Sequence, residues 1–174
     1  GGDSAITGAG GAVSGEAQRL IDTTYRALVA AIACMRPGQR TGDLGAAIQG
    51  TVEAAGFSVV REYVSHGVGQ CMHEDPQVPN YGRAGMGLPL KRGMTIALEP
   101  MVLAGRPETR LRDDQWTVES LDGRLTAHFE HTVAVGAAGP IVLTALDEDL
   151  DGSPGRLYNE YFAGATQPAS GEEE

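Results

Sequence analysis

Three short stretches concentrate the residue types that bind cations or move protons. The first is Ser65 to Pro76, where His66 stands between Ser65 and Gly67 and a second histidine, His73, precedes Glu74 and Asp75. Glycine lets backbone approach a ligand closely, and neutral imidazole is the commonest nitrogen donor to metals. The second is Gly93 to Met101, in which Glu99 follows the apolar run Ile96-Ala97-Leu98 and precedes Pro100. A carboxylate at the end of a buried strand is costly unless it is paired or bound to a cation. The third is Leu125 to Val135, an alternating run that carries His128, Glu130 and His131. Period two puts His128 and Glu130 on one face with Thr126 and Thr132, and Ala127, Phe129, His131, Val133 and Val135 on the other.

Each stretch also has a plainer reading: a turn with exposed histidines, a strand-end charge in water, and a cross-strand pair between Glu130 and an arginine such as Arg61. Taken together, His66, Glu99 and Glu130 all fall at or in strands of one small domain, with no comparable cluster of Lys or Arg to neutralise them. Mixed imidazole and carboxylate donors suit Mn, Fe, Co or Zn better than Mg or Ca, which favour all-oxygen shells.

The elements that must position these groups are legible from periodicity. Ser14 provides an N-cap and Glu16 a first-turn acid; Ala17, Ile21, Thr24, Leu28, Ile32 and Met35 recur at helical steps until Arg36-Pro37-Gly38. Thr41 is the expected cap of a second helix, with Leu44, Ala47, Ile48, Val52 and Ala55 on one face and Gly56 at its end. Strands are predicted over Phe57 to Val64, Met94 to Leu98 and Leu125 to Val135. Ser65 to Arg92 has no sustained period and reads as a long functional loop. From residue 147 the composition turns to Asp, Gly, Ser and Pro and ends in Glu172-Glu173-Glu174. Residues 147–174 are therefore expected to be a largely disordered acidic tail, with only Leu157 to Phe162 able to form a short docked element, and 1–146 the folded part.

With 174 residues, 41% hydrophobic and 21% charged, the chain has the make-up of one globular domain, and the helices and strands read from it make the expected class α+β. Thirteen basic against twenty-three acidic residues give a net charge of −10, which disfavours DNA and other phosphate-rich partners. Cys34 and Cys71 match no disulfide framework or metal finger, pointing to a reducing, cytoplasmic setting. No apolar run is long enough for a membrane span, and no secretion signal opens the chain. Its start at Gly1-Gly2, without Met, reads as a cut end.

In order along the sequence, His66-Gly67-Val68-Gly69, Met72-His73-Glu74-Asp75-Pro76-Gln77-Val78-Pro79-Asn80-Tyr81, Gly93-Met94-Thr95, Leu98-Glu99-Pro100-Met101, Trp116-Thr117-Val118 and Phe129-Glu130-His131-Thr132 resemble the type I methionine aminopeptidases. The likeness runs from about Asp3 to Thr144. It implies the pita-bread fold, a curved antiparallel sheet covered by helices, with two divalent ions (Co, Mn, Fe or Zn) at its centre. By that resemblance Asp3, His66, Glu99 and Glu130 are metal ligands, Asp3 and Glu130 bridging. Glu99 also moves the proton, His73 stabilises the oxyanion, and Met72, His73 and Trp116 contact substrate. The implied activity is removal of N-terminal methionine from nascent proteins and peptides whose second residue is small, ribosome-associated nascent chains among them.

The chain also departs from the family pattern. The family's first aspartate ligand, and a substrate-contacting histidine, fall before Gly1. Ser65 replaces a glycine, His128 replaces a glutamine, and Arg106 to Asp113 is irregular. The chain is thus expected to cover roughly the C-terminal two thirds of such an enzyme, lacking its N-terminal part, with a weak second metal position and impaired activity on its own. His128 is expected to hydrogen-bond Glu130 or to supply a nitrogen ligand in place of the aspartate that falls before Gly1. The alternative function is a catalytically silent relative that binds peptide ends or a partner protein.

Overall fold

Two helices and eleven short strands make up the described chain: β1 (Ser4–Ala5), α1 (Gly15–Ala33), α2 (Thr41–Ala54), β2 (Ser58–Val59), β3 (Val64–Gly67), β4 (Glu74–Pro79), β5 (Thr95–Leu98), β6 (Met101–Leu103), β7 (Thr109–Leu111), β8 (Val118–Ser120), β9 (Thr126–His128), β10 (Glu130–Val135) and β11 (Pro140–Val142). This computed structural model describes residues 2–10, 12–115 and 117–145. Trp116 and the expected tail at 147–174 lie outside the described residues.

α1 begins as its sequence dictates. The Ser14 hydroxyl accepts the Ala17 N–H at 3.1 Å, and Leu20, Thr24, Ala27, Leu28, Ala31 and Ile32 form its buried stripe. It ends earlier than Arg36: the Cys34 N–H turns back to the Ala31 carbonyl at 3.0 Å, and Met35 continues the buried stripe from a turn. α2 is capped differently from the expectation. Thr41 is its first helical residue, with a hydroxyl that accepts the Leu88 N–H, and the cap position belongs to Arg40, whose N–H donates to the Asp43 carboxylate at 2.7 Å. Asp43 reaching back to the Arg40 N–H supplies the N3 half of a capping box. α2 packs against α1, β2 and β4. Gly45 permits that approach, because a Cβ there would run into the carbonyls of Pro79 and Tyr81. No helix among the described residues is long and apolar enough to cross a membrane.

The strands form three antiparallel sheets. The largest runs β1-β10-β5-β3-β4, with β11 also on β10; β2-β6-β9 and β7-β8 form the others. Two predicted strands prove to be pairs of strands in different sheets. Phe57 to Val64 divides into β2 and the start of β3, and Leu125 to Val135 breaks at Phe129 into β9 and β10. The stretch from Ser65 to Arg92 is corrected more strongly, since β3 and β4 pair within it. Its alternation was concealed by Pro76 and Pro79. In β4, Pro76 and Val78 point inward and Asp75 and Gln77 outward, and the prolines are tolerated because β4 is the edge strand. The chain up to Thr144 is one compact unit, with α1 lying against β5, β6, β9 and β10.

Candidate metal centre

Strand register brings the expected ligands onto one sheet face. His66 pairs with Ala97, Ala97 with Thr132, and the pairings Ser4–His131 and Ala5–Glu130 carry the β1 side on to Asp3 opposite Thr132. Residues paired across antiparallel strands share a face, and Glu130 shares it with Thr132 two residues on. Ile96, Leu98 and Val133, of the opposite parity, are fully buried.

Glu99 arrives by a second device. Glu99-Pro100 is the corner where the chain leaves β5 for β6, and Phe129 is the corner between β9 and β10. The two corners lie side by side, since Leu98 pairs with His131 and Met101 with His128. Both carboxylates and His128 therefore flank the points where the chain passes between sheets, and the break in the ladder there lets their side chains converge.

One donor atom from each of His66, Glu99 and Glu130 lies within 4.8 Å of the others. The His66 Nδ1 faces the Gly67 carbonyl at 3.1 Å, and a carbonyl only accepts, so Nδ1 carries the proton. In neutral His66 the Nε2 lone pair then faces Glu99 Oε1 at 3.3 Å. Two electron-pair donors facing each other need a cation or a proton between them. The Glu130 Oε1 is buried with no hydrogen-bond partner among the described residues. Burial, then the charges of Glu99 and Asp3, push its carboxyl up to about 7. Among the described residues no arginine or lysine forms an ion pair with Glu99 or Glu130. Arg61, the partner a plain ion pair would use, lies over the Tyr81 ring instead. The donor set thus fits a divalent cation.

The remaining candidates fall at different distances from this centre. Asp3 stands outside the group of three but close enough to raise the Glu130 pKa; its Oδ1 accepts the Ser4 N–H at 2.9 Å, and its backbone exchanges bonds with the Thr132 hydroxyl. His73 is exposed, its ring 4.1 Å from that of His66 between centroids. Met72 is 53% exposed. His128 does not hydrogen-bond Glu130. The break at Phe129 ends the shared strand face, and the ring's Nε2 lies 3.5 Å from Glu99 Oε2. Two clefts of about 520 and 410 Å³ flank β7 and β8, but neither is lined by His66, Glu99 or Glu130.

Sequence reasoning missed a support under Glu99. The Ser65 hydroxyl accepts the Glu99 N–H at 3.0 Å and donates to Asn80 Oδ1 at 3.3 Å. The Asn80 amide donates to the carbonyls of Glu99 and Tyr63. Ser65 and Asn80 are fully buried. An asparagine between Pro79 and Tyr81 reads as a turn, so no local signal marked it.

Residues 1–137 match the family described as metallopeptidase family M24. The chain belongs to that family. Over 143 residues this M24 chain is 47% identical to methionine aminopeptidase 1 of Bacillus subtilis, an alignment that takes in 82% of the chain and 58% of the relative. The crystal structure of methionine aminopeptidase from Thermotoga maritima superposes with a TM-score of 0.81 at 45% identity, covering 83% of the M24 chain and 58% of that structure. The prolidase from Pyrococcus furiosus, 20% identical with a TM-score of 0.60, shares the fold alone. The architecture is accordingly the pita-bread fold. The M24 chain spans about half the length of the curated relatives it matches, 50% to 58% among those with the strongest likeness, which is less than the two thirds expected. Membership of a metallopeptidase family implies divalent metal use, in keeping with the donor set.

Proposed function

We propose that the M24 chain carries the metal-binding part of an aminopeptidase that removes N-terminal methionine from nascent proteins and peptides with a small second residue. The observation that supports this best is the convergence of the His66 lone pair, Glu99 and the Glu130 oxygen, which has no hydrogen-bond partner, with no arginine or lysine ion-paired to them among the described residues. In this reading His66, Glu99 and Glu130 hold the cation, Asp3 joins by turning its carboxylate away from the Ser4 N–H, and two ions of the Co, Mn, Fe or Zn group are accommodated.

Bound there, divalent ions supply Lewis acidity toward water and the scissile carbonyl. The chain's own residues do the rest. Glu99 takes the proton of the attacking water and passes it to the leaving amine. His73, exposed beside His66, donates to the oxyanion that develops on the carbonyl. Met72 and Trp116 receive the methionine side chain. The unpaired Cys34 and Cys71 support a reducing, cytoplasmic location, where ribosome-associated nascent chains are available as substrates.

The test is calorimetric titration of the chain with Mn and Co, with Glu130→Ala beside it, followed by methionine release from Met-Ala peptides. Binding that Glu130→Ala abolishes is the expected result. Equal affinity in the variant would remove the assignment. Peptide binding without any release, at full metal occupancy and in a form containing the upstream aspartate, would favour the silent binding relative.

A further inference from the structure

His128 is the residue at the centre that neither the cluster of three nor the proposed chemistry uses, although it is held firmly in place. Its N–H donates to the Thr7 hydroxyl and its carbonyl accepts from the same hydroxyl, both at 2.9 Å, while β9 pairs it with Met101. The ring Nε2 is buried, and it and the Glu130 Oε1 are the buried side-chain polar atoms without a hydrogen-bond partner among the described residues. Both belong to one small region, so the two omissions have one explanation to share.

Glu99 connects them. Its Oε1 lies 3.3 Å from His66 Nε2 and its Oε2 lies 3.5 Å from His128 Nε2. One carboxylate therefore presents each of its oxygens to a different imidazole. Hydrogen bonds between nitrogen and oxygen run at about 2.7–3.2 Å, so both gaps lie just beyond the long end of that range. Two donors on one zinc-like ion, each about 2.0–2.2 Å from it at tetrahedral angles, stand roughly 3.3–3.6 Å apart. Both gaps have that width.

We infer that His128 is a metal ligand in this chain: its Nε2, with the Glu99 oxygen that faces it, would hold a cation at the same centre. This rests on the reading of the cluster as a metal centre. The added imidazole also sets a preference. Nitrogen donors favour Zn, Co and Fe over Mn, so the position beside His128 discriminates against Mn more strongly than one walled by carboxylates alone.

X-ray absorption and titration calorimetry with Zn and Co on the full chain test this, comparing the parent with His128→Gln and His128→Asn and checking the fold of each variant by circular dichroism. The expected result is loss of one imidazole from the coordination shell in both folded variants, with the affinity of the weaker ion falling by about tenfold or more and that of the tighter ion kept. An unchanged shell and unchanged affinities would overturn the inference, leaving His128 as a neighbour of Glu99 that holds no ion. Glu130→Ala separates this from the broader reading. If the parent binds no ion, or Glu130→Ala binds as well as the parent, the metal centre fails and His128 with it; binding that Glu130→Ala abolishes while His128→Gln leaves it intact overturns the role of His128 alone.

Discussion

Glu130 ties the metal-free fold to pH. Its carboxyl has an ordinary value of 4.5 unfolded and about 7 folded, raised by burial and by Glu99 and Asp3. Between those values the native state holds the extra proton, so stability falls as pH rises through that window, by roughly 3 kcal/mol in all. The contribution is complete below pH 4.5 and gone above about 7. The expected outcome is a metal-free melting temperature that declines from pH 5 to 8, and a shallower decline in Glu130→Gln. A divalent ion must displace the same proton, so metal affinity should rise over that range. His73 makes a different prediction, because it stands outside the ligand cluster. In the active, metal-loaded protein His73→Ala should lower kcat by the order of 10² with metal content intact. Metal analysis alongside kinetics checks it, since loss of the ion would make His73 a ligand.

Elements matter here through their ends. Glu99 sits at a corner where the β5 ladder has stopped, and Ser65 and Asn80 take over the bonding of its N–H and carbonyl. Asn80→Ala would leave the Tyr63 and Glu99 carbonyls and the Ser65 hydroxyl short of partners in a buried place, at a cost of about 1–3 kcal/mol for each group left bare. Ser65→Ala strips the Glu99 N–H and the Asn80 oxygen. Because both variants break one network, the double variant should cost less than the two singles added, which urea unfolding of all four proteins would measure. The bulge between His66 and Gly67 is a second such device. A Cβ at Gly67 would meet the Asp75 carbonyl, so Gly67→Ala should push β4 from β3, turn His66, and lower both stability and metal affinity.

At the scale of the molecule, ligand arithmetic governs activity. Asp3, Glu99 and Glu130 offer three carboxylates and His66 and His128 two imidazoles, whereas the family resemblance assigns a further aspartate to the sequence before Gly1. In the proposed reading, an ion held without that aspartate would bind weakly, and chemistry that needs both ions would suffer with it. Residues 1–174 should accordingly release methionine from Met-Ala peptides at or near background with Co or Mn, and joining a family-like segment that carries the aspartate should raise both metal stoichiometry and turnover. Robust release by residues 1–174 alone would show that the additional carboxylate is dispensable.

Much of this was legible in sequence because it is local. Ser14 before a helical stripe, and Gly56 after one, specify helices through bonds within a few residues. His66, Glu99 and Glu130 stood out because their types are costly to bury and no Lys or Arg cluster was at hand. Local rules failed where the partner is distant. Phe129 looks like one more inward residue of an alternating strand, yet it is where the chain changes sheets, and that change moved His128 from Glu130 to Glu99. Prolines hid β4, since only its place at the sheet edge makes them harmless. Ser65 and Asn80, fifteen residues apart, have no common signal until the β3–β4 pairing brings them together beneath Glu99. Residue type and short-range spacing specify which groups this protein brings to its centre. Which oxygen faces which imbidazole nitrogen is decided by strand register and by where two corners meet, and those depend on contacts that no window of sequence contains.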